Sequence, residues 1–592
     1  MHSTSQVYFN QNNSMIKNFF IILKNAKKKR VLHVILLFFL TIISITFEIL
    51  SVGSLVPFID IITNNLNAFT VSKLNIYNFA ADHFFYMIEN KKIVYMNIFI
   101  ILVIISYILK ILLIWFAAYL THSIGHEINL KIFSKTVFKK YNYHLKTNSS
   151  RFLGNVEKSE RFKSSIAYIF QLGISLSMCI AILIFIFFID AIFILYLCVA
   201  LIITYFLIFI FLNKKMSANS KIEASEIDSR IQILQETSSN IREIIISSLQ
   251  NNFLILFKKI DDALKRTNIK NVIYSNIPGN FVQMFATVIL SIIVYIFSLK
   301  TGGLVTNLSF LAAIMFALQK LLPQAQFVYS SYAKLKMHSE SVNDVRELIM
   351  SDDDNLSQNS NLLHNEINFN YHIKINQGEF FYNTKENIIF KNLNIQIKKN
   401  KSLLILGDTG AGKSTLIDII MNLIELKSGN LLIDDVPITP ANSKSWQKKI
   451  SHIPQQAGFF DSSILENIVL KSDFENVNKK KLYEVTKAAE IFDFINSQEK
   501  KYETLIGEKG VRLSGGQRQR IAISRALYSD KEVIFFDEAT NALDSETEQK
   551  VLNNILGKNA QKTIIVISHR ENLSIFFDHV LRVKNNSVIQ IK

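Results

Sequence analysis

Apolar and polar residues follow two regimes along this chain. Up to about residue 322, long apolar runs alternate with polar stretches. Six runs reach the length of about 20 residues that an α-helix needs to cross a hydrocarbon layer. They lie at 31–62, 93–120, 165–189, 191–212, 272–299 and 304–322, and each predicts a membrane span. Asp190 marks a tight outer turn between the third and fourth, and Thr301-Gly302-Gly303 marks another before the sixth. The polar connections at 121–163 and 213–270 are helix-prone and predict cytoplasmic extensions of the membrane helices. From about residue 366, short strand-like runs alternate with helical ones, the pattern of an α/β domain. The expected architecture is therefore an all-α membrane domain of six transmembrane helices followed by a cytoplasmic α/β domain. Its divisions are a cytoplasmic N-terminal segment at 1–30 with an interfacial helix at 15–27, a transmembrane domain at 31–335, a linker at 336–365 and an α/β domain at 366–592. The linker reading rests on Asp352-Asp353-Asp354 and their Ser and Asn neighbours, which carry no apolar period.

Composition sharpens this picture. Hydrophobic residues make up 49% of the 592 residues, a share that suits membrane helices, and the formal net charge is +17. A basic balance also suits nucleic acid, but six apolar spans exclude a soluble nucleic-acid ATPase. Cationic loops facing anionic lipid account for the charge, so no nucleic-acid partner is expected. Lys27-Lys28-Lys29-Arg30 directly precedes the first span and places the N-terminus in the cytoplasm. An even number of spans then returns the chain to that side. Cys179 and Cys198 sit within apolar runs, without metal-ligand spacing or a disulfide framework. The first span is too long for a cleavable signal peptide and lacks its small-residue cleavage site.

The chemistry is concentrated near the C-terminus. An apolar run, Leu403-Leu404-Ile405-Leu406, leads into Gly407-Asp408-Thr409-Gly410-Ala411-Gly412-Lys413-Ser414-Thr415, and Leu416, Ile419 and Ile420 then fall on one side of a helix. A strand, a glycine-rich turn and a helix are the setting of a phosphate-binding loop. Glycines let backbone N–H groups curl around phosphate oxygens, and the helix N-terminus adds partial positive charge. Lys413 supplies a full charge to the terminal phosphates, and Ser414 suits Mg²⁺. A second apolar strand, Val533-Ile534-Phe535-Phe536, ends in Asp537-Glu538. Asp537 suits the hold on Mg²⁺, and Glu538 suits the base that polarises the attacking water of ATP hydrolysis.

Between these motifs lies Leu513-Ser514-Gly515-Gly516-Gln517. With this pentapeptide the whole chain resembles the ABC transporters, of the exporter type with fused membrane and ATPase domains. The resemblance implies further roles. Gln455 in Ile453-Pro454-Gln455 matches the glutamine that senses Mg²⁺ and the membrane domain. His569 in Ile567-Ser568-His569-Arg570 matches the switch histidine at the γ-phosphate. Asn541-Ala542-Leu543-Asp544 looks like the D-loop, and Tyr382 sits where an aromatic stacks on adenine. Ser514, Gly515, Gly516 and Gln517 belong to the face that completes the ATP site of a second ATPase domain. One such domain per chain implies a homodimer with two ATP molecules at its interface. Coupling bends are expected near 147–154 and 236–241, and Gly507-Glu508-Lys509-Gly510 resembles a loop set against the partner's coupling helices.

Cargo is written less plainly. Glu48 lies deep in the first span, about 25 Å from its start at 1.5 Å per residue, and Lys110 lies inside the second. Ionisable residues there face a cavity or each other, so both are candidates for a cargo cavity. Lys320, beside Pro323, is placed near the inner surface. Leu74, Tyr77, Ala81, Phe84, Phe85 and Ile88 recur at helical spacing, which predicts an amphipathic outer helix over 72–89. With Glu48-x8-Pro57 and Lys110, this resembles bacterial inner-membrane flippases of lipid-linked oligosaccharides for protein glycosylation. Gly279, after Pro278, departs from the basic residue expected there. The expected activity is ATP-driven transport of such a glycolipid; the alternative is export of another lipid, a peptide or a drug.

Overall fold

The computed structural model describes residues 28–62, 91–189, 191–298, 308–350, 366–382, 388–470, 477–558 and 561–592. The helices expected at 15–27 and 72–89, Asp190 and the turn at 301–303 fall outside these residues.

Nine helices open the described chain: α1 Lys28–Ile62, α2 Lys91–Val137, α3 Tyr141–Lys146, α4 Ser149–Ile189, α5 Ala191–Ser239, α6 Ile241–Ile246, α7 Gln250–Ser298, α8 Leu308–Met337 and α9 Ser339–Met350. All except α3 form one compact unit, and α3 groups with the residues from 366 onward in a second. Among the described residues, α1, α2, α4 and α8 are long and apolar enough to cross a membrane. α2 exposes Ile100, Ile104, Ile108 and Ile111 along its length. A continuous apolar stripe of this kind suits lipid rather than water.

Two apolar clusters hold the first unit together. Leu37, Leu120, Ile124, Phe162, Ile166 and Val345 join α1, α2, α4 and α9. Val52, Met178, Ile182, Ile314 and Leu318 join α1, α4 and α8. Pro57, Pro278 and Pro323 all lie inside helices. Membrane helices tolerate proline because neighbours re-satisfy the freed backbone groups.

Two expectations shift. The first connection breaks twice, at 138–140 between α2 and α3, ahead of the expected 147–154, and at 147–148 between α3 and α4, at its start; Gly154 is inside α4. Gly154 serves helix approach instead, since a Cβ there would stand 2.7 Å from Asp228 Oδ1 on α5. The second bend falls at Asn240, between α5 and α6, within the expected 236–241. The stretch read as linker from residue 336 opens on the end of α8 and then α9, which buries Val342, Val345 and Ile349 in the first unit.

The second unit contains two sheets. β1 His372–Phe381, β2 Ile388–Lys398, β4 Ser428–Ile433 and β5 Val436–Pro437 pair antiparallel in the order β2-β1-β4-β5. The other sheet runs β10-β9-β3-β8-β7-β6, from β3 Ser402–Gly407, β6 Ile450–Ile453, β7 Val533–Asp537, β8 Thr563–Ile567, β9 His579–Lys584 and β10 Ser587–Gln590. Its strands are parallel except at the β9–β10 edge. Leu404 and Leu406 of β3 pack in one cluster and Leu403 and Ile405 in another. A parallel strand covered on both faces needs such an unbroken apolar run. The C-terminal ends of β3, β6, β7 and β8 therefore come together at one edge, where α/β sheets bind ligands.

Candidate functional site

The loop after β3 is shaped by its glycines. Gly407, Gly410 and Gly412 have φ of 155°, 83° and 101°. At Gly412 a side chain would also meet Ile389 at 2.7 Å, so only glycine fits. Ala411 N donates to Asp408 O, which closes the turn around Thr409 and Gly410. Lys413 then opens α10 Lys413–Ile420. Its ammonium is buried and donates to Gly407 O and Asp408 O, each at 2.9 Å. Burial holds it below the usual lysine range, while Glu538, Asp537 and Asp408 pull the other way.

Neighbouring strands deliver the remaining groups. Ser414 Oγ donates to Asp537 Oδ1 at 3.2 Å, and burial raises the Asp537 carboxyl against that bond. Glu538 comes next in the left-handed region at φ 49°, a strain that persists only where its surroundings enforce it. Four groups converge on its carboxylate. Gln455 Nε2, just past β6, reaches Oε2 at 2.8 Å. His569 Nε2, just past β8, lies 2.5 Å from Oε1. Asn541 Nδ2 donates to Oε2 at 3.1 Å, and Lys413 Nζ lies 3.9 Å from Oε1. The Tyr382 hydroxyl meets Thr415 Oγ1 at 3.2 Å and its ring stands edge-on to Phe380. Cationic donors, a hydroxyl–carboxylate oxygen pair and a glycine-shaped backbone cradle fit a nucleoside triphosphate with a hard divalent cation.

Ser514 and Gln517 take a different position. They form a reciprocal capping box at the start of α11 Gly515–Tyr528: Gln517 N donates to Ser514 Oγ and Ser514 N to Gln517 Oε1. Among the described residues, their side-chain hydrogen bonds close on each other and none runs to the phosphate loop. Gly515 and Gly516 lie against the Ala542 segment, and Gln519 of α11 accepts from Ala542 N at 2.9 Å. The residue motif gave no warning of Gln519. Nor did it warn of Asp418, whose carboxyl burial and the nearby Asp537 charge push up to about 6. Lys140, the residue before α3, ties to this unit with its Nζ 2.9 Å from Glu425 Oε1.

In the first unit the two candidate cargo residues part company. Glu48 is buried and pairs with Lys320 at 2.9 Å, and Lys320 also stands over the Tyr107 ring. The Lys320 side chain is thereby nine-tenths buried. Lys110 instead lines a cavity of about 510 Å³ with Thr41, Ser44, His122, Gln171 and Gln324 amid apolar walls, and Glu48 is absent from that lining. The basic residue missing at Gly279 has a steric reason. A Cβ there would lie 2.4 Å from Gln326 of α8, whose side-chain oxygen accepts from Gln283 of α7.

Comparison with known proteins accounts for both units. The ABC transporter transmembrane region matches residues 34–321, and the ABC transporter family matches residues 390–541. The chain belongs to the ABC transporters. A bacterial Atm1-family ABC exporter solved with ATP bound shares its fold at a TM-score of 0.74, over 95% of this chain and 94% of that one, at 17% identity. This ABC transporter is 34% identical to the ATP-dependent lipid A-core flippase of Pectobacterium atrosepticum over 218 residues, 37% of each chain. It is 39% identical to the beta-(1→2)glucan export ATP-binding/permease protein NdvA of Bartonella bacilliformis over 178 residues, 30% of each chain. The matched part spans about a third of the length of these two relatives.

Proposed function

We propose that the chain is one half of an ATP-driven exporter, with the membrane domain at 31–335 and the ATPase domain at 366–592. One observation carries the reading: Lys413, Gln455, Asn541 and His569 converge on the Glu538 carboxylate beside the Ser414–Asp537 oxygen pair. In this reading Glu538 accepts the proton of the attacking water, and His569 turns from Glu538 to the terminal phosphate. Lys413 leaves its two carbonyl partners for the phosphates. Ser414, Asp537 and Gln455 hold Mg²⁺, and Tyr382 supports the adenine. Ser514–Gln517 present a helix N-terminus, where N–H groups and dipole favour an anion. That face completes the site of a second copy, so the working unit is a homodimer in the inner membrane with its ATPase domains in the cytoplasm. α3 and α6 are the coupling helices.

The cargo proposed is a lipid-linked oligosaccharide or a related glycolipid, with Lys110 facing its anionic group and the apolar cavity walls its chain. The relatives named for lipid A-core and glucan transport favour lipid or glycan over peptide. The deciding experiment uses proteoliposomes. Glu538→Gln should lower ATP hydrolysis by at least 100-fold, the scale of a lost general base, while nucleotide still binds. Full hydrolysis by the variant would refute the assigned roles. Wild-type vesicles should also move a fluorescent lipid-linked glycan; movement of lipid A alone would select the second reading, an exporter of another lipid.

A further inference from the structure

The polar ends of α4 and α5 carry a device that the nucleotide motifs leave untouched. Three ion pairs form rungs between them. Glu157 Oε1 meets Arg230 at 3.2 Å, Lys158 Nζ meets Asp228 at 2.7 Å, and Arg161 meets Glu223 at 3.1 Å. The sign order acid–base–base on α4 faces base–acid–acid on α5, so the rungs fix one antiparallel register. Gly154 sits one turn below, where a side chain would strike Asp228. Two ties extend the ladder. Lys158 also meets Asp344 of α9 at 2.7 Å, and Glu223 accepts from Asn271 of α7 at 3.2 Å.

This seam differs from the others in its unit. α1, α2, α4, α8 and α9 are joined by apolar clusters, and separating them would expose apolar surface to water. The α4–α5 seam is closed here by charges of mixed exposure, with the Glu223 carboxylate buried at 3% and the others partly wet. Asp228 is 46% exposed, Glu157 41% and Asp344 33%. Water can take over the exposed groups as the rungs part, so the Glu157–Arg230 rung opens at little cost, while the rungs of buried Lys158 and Glu223 are the ones that hold the seam shut. Lys158, 7% exposed, and Glu223, 3% exposed, are the buried members, and Lys158 is the keystone. Its ammonium is shared between two helices, and removing it leaves Asp228 and Asp344 facing each other unneutralised.

We infer that the rungs are a latch: α5 opens and recloses against α4 and α9, and Lys158 holds the closed state. The inference rests on the transport reading, because a pump has to exchange two arrangements of its helices.

The test is a pair of spin labels at exposed positions beside the ladder, Val156→Cys on α4 and Leu234→Cys on α5, with Cys179 and Cys198 replaced by alanine in the full-length protein. Lys158→Met should raise the long-distance population about tenfold, with a lengthening of at least about one helical turn, 5 Å. Glu157→Arg should do so more weakly, and Glu157→Arg with Arg230→Glu should restore the short distance. That last pair keeps the test decisive if Lys158→Met does not fold. An unchanged short distance in both single variants would overturn the latch and leave a static brace. Because the comparison needs no nucleotide, failure of the ATPase reading would appear separately, as wild-type protein that neither binds nor hydrolyses ATP.

Discussion

The nucleotide site and the Lys110 cavity treat charge in opposite ways. At the first, one carboxylate, Glu538, gathers two amides, an imidazole and an ammonium, all delivered from the ends of adjacent strands. At the second, one ammonium stands among apolar walls with a histidine and a few hydroxyl and amide groups. Crowded partners fix geometry and select one reaction, because every group is held by the others. A single cation in a roomy cavity selects only the sign of what it meets. The first arrangement serves chemistry that is the same in every cycle. The second suits a bulky cargo that has to enter and leave.

The largest expected effect tests the crowded side. Lys413→Ala removes the one full positive charge from the phosphate loop and should weaken ATP binding by at least about 100-fold, the scale of a lost charge-assisted contact in a desolvated site. Equilibrium binding of a fluorescent ATP analogue measures it, and binding within threefold of wild type would contradict the site. Next comes the sparse side. Lys110→Met should lower transport of an anionic lipid roughly tenfold, with Lys110→Arg near wild type, since only charge is read there. Vesicle assays of both variants decide this, and equal loss in both would assign Lys110 to packing.

These two regions were also unequally legible. The phosphate loop, Asp537-Glu538 and Ser514–Gln517 are runs of adjacent residues, so local order spells out the chemistry, and the parallel strands arise from unbroken apolar runs such as Leu403–Leu406. Partners far apart were not legible. Glu48 was grouped with Lys110, yet its ion pair is with Lys320 on another helix. The break at 138–140 before α3 has no proline or glycine to announce it. The rungs between α4 and α5 depend on a register that only folding sets.

A third prediction sharpens the contrast by adding charge to the first unit. Gly279→Arg would restore the basic residue that lipid-linked oligosaccharide flippases lead one to expect, but its Cβ would meet the Gln326 side chain. Overpacking of this kind costs about 1–3 kcal/mol. The thermal midpoint should fall, and Gly279→Arg with Gln326→Ala should regain most of it. An unchanged midpoint in the single variant would show that Gln326 moves aside freely.

The smallest effect concerns a histidine in the nucleotide-binding unit that touches no nucleotide motif. His452 lies on β6, opposite Phe535 of β7, and its Nε2 is buried without a hydrogen-bond partner among the described residues. Burial disfavours the imidazolium and pushes its pKa from 6.5 down to about 4. Between those values the unfolded chain takes up a proton that the folded chain refuses, so this group's contribution is lost as pH falls from 6.5 toward 4. Asp418 acts in the opposite sense, because its raised carboxyl pKa makes the folded form the better proton acceptor between 3.8 and about 6. Comparing wild type with His452→Phe isolates the histidine, since Asp418 is common to both. Moving from pH 7.5 to pH 5 should destabilise wild type more than the variant, by at most about 2 kcal/mol at 1.36 kcal/mol per unit and less where water screens the ring. Thermal midpoints of both proteins across that range measure the gap. A gap that stays constant with pH would mean that the imidazole finds water or a partner on β6, and that this strand, which pairs with β7, is looser than its apolar packing implies.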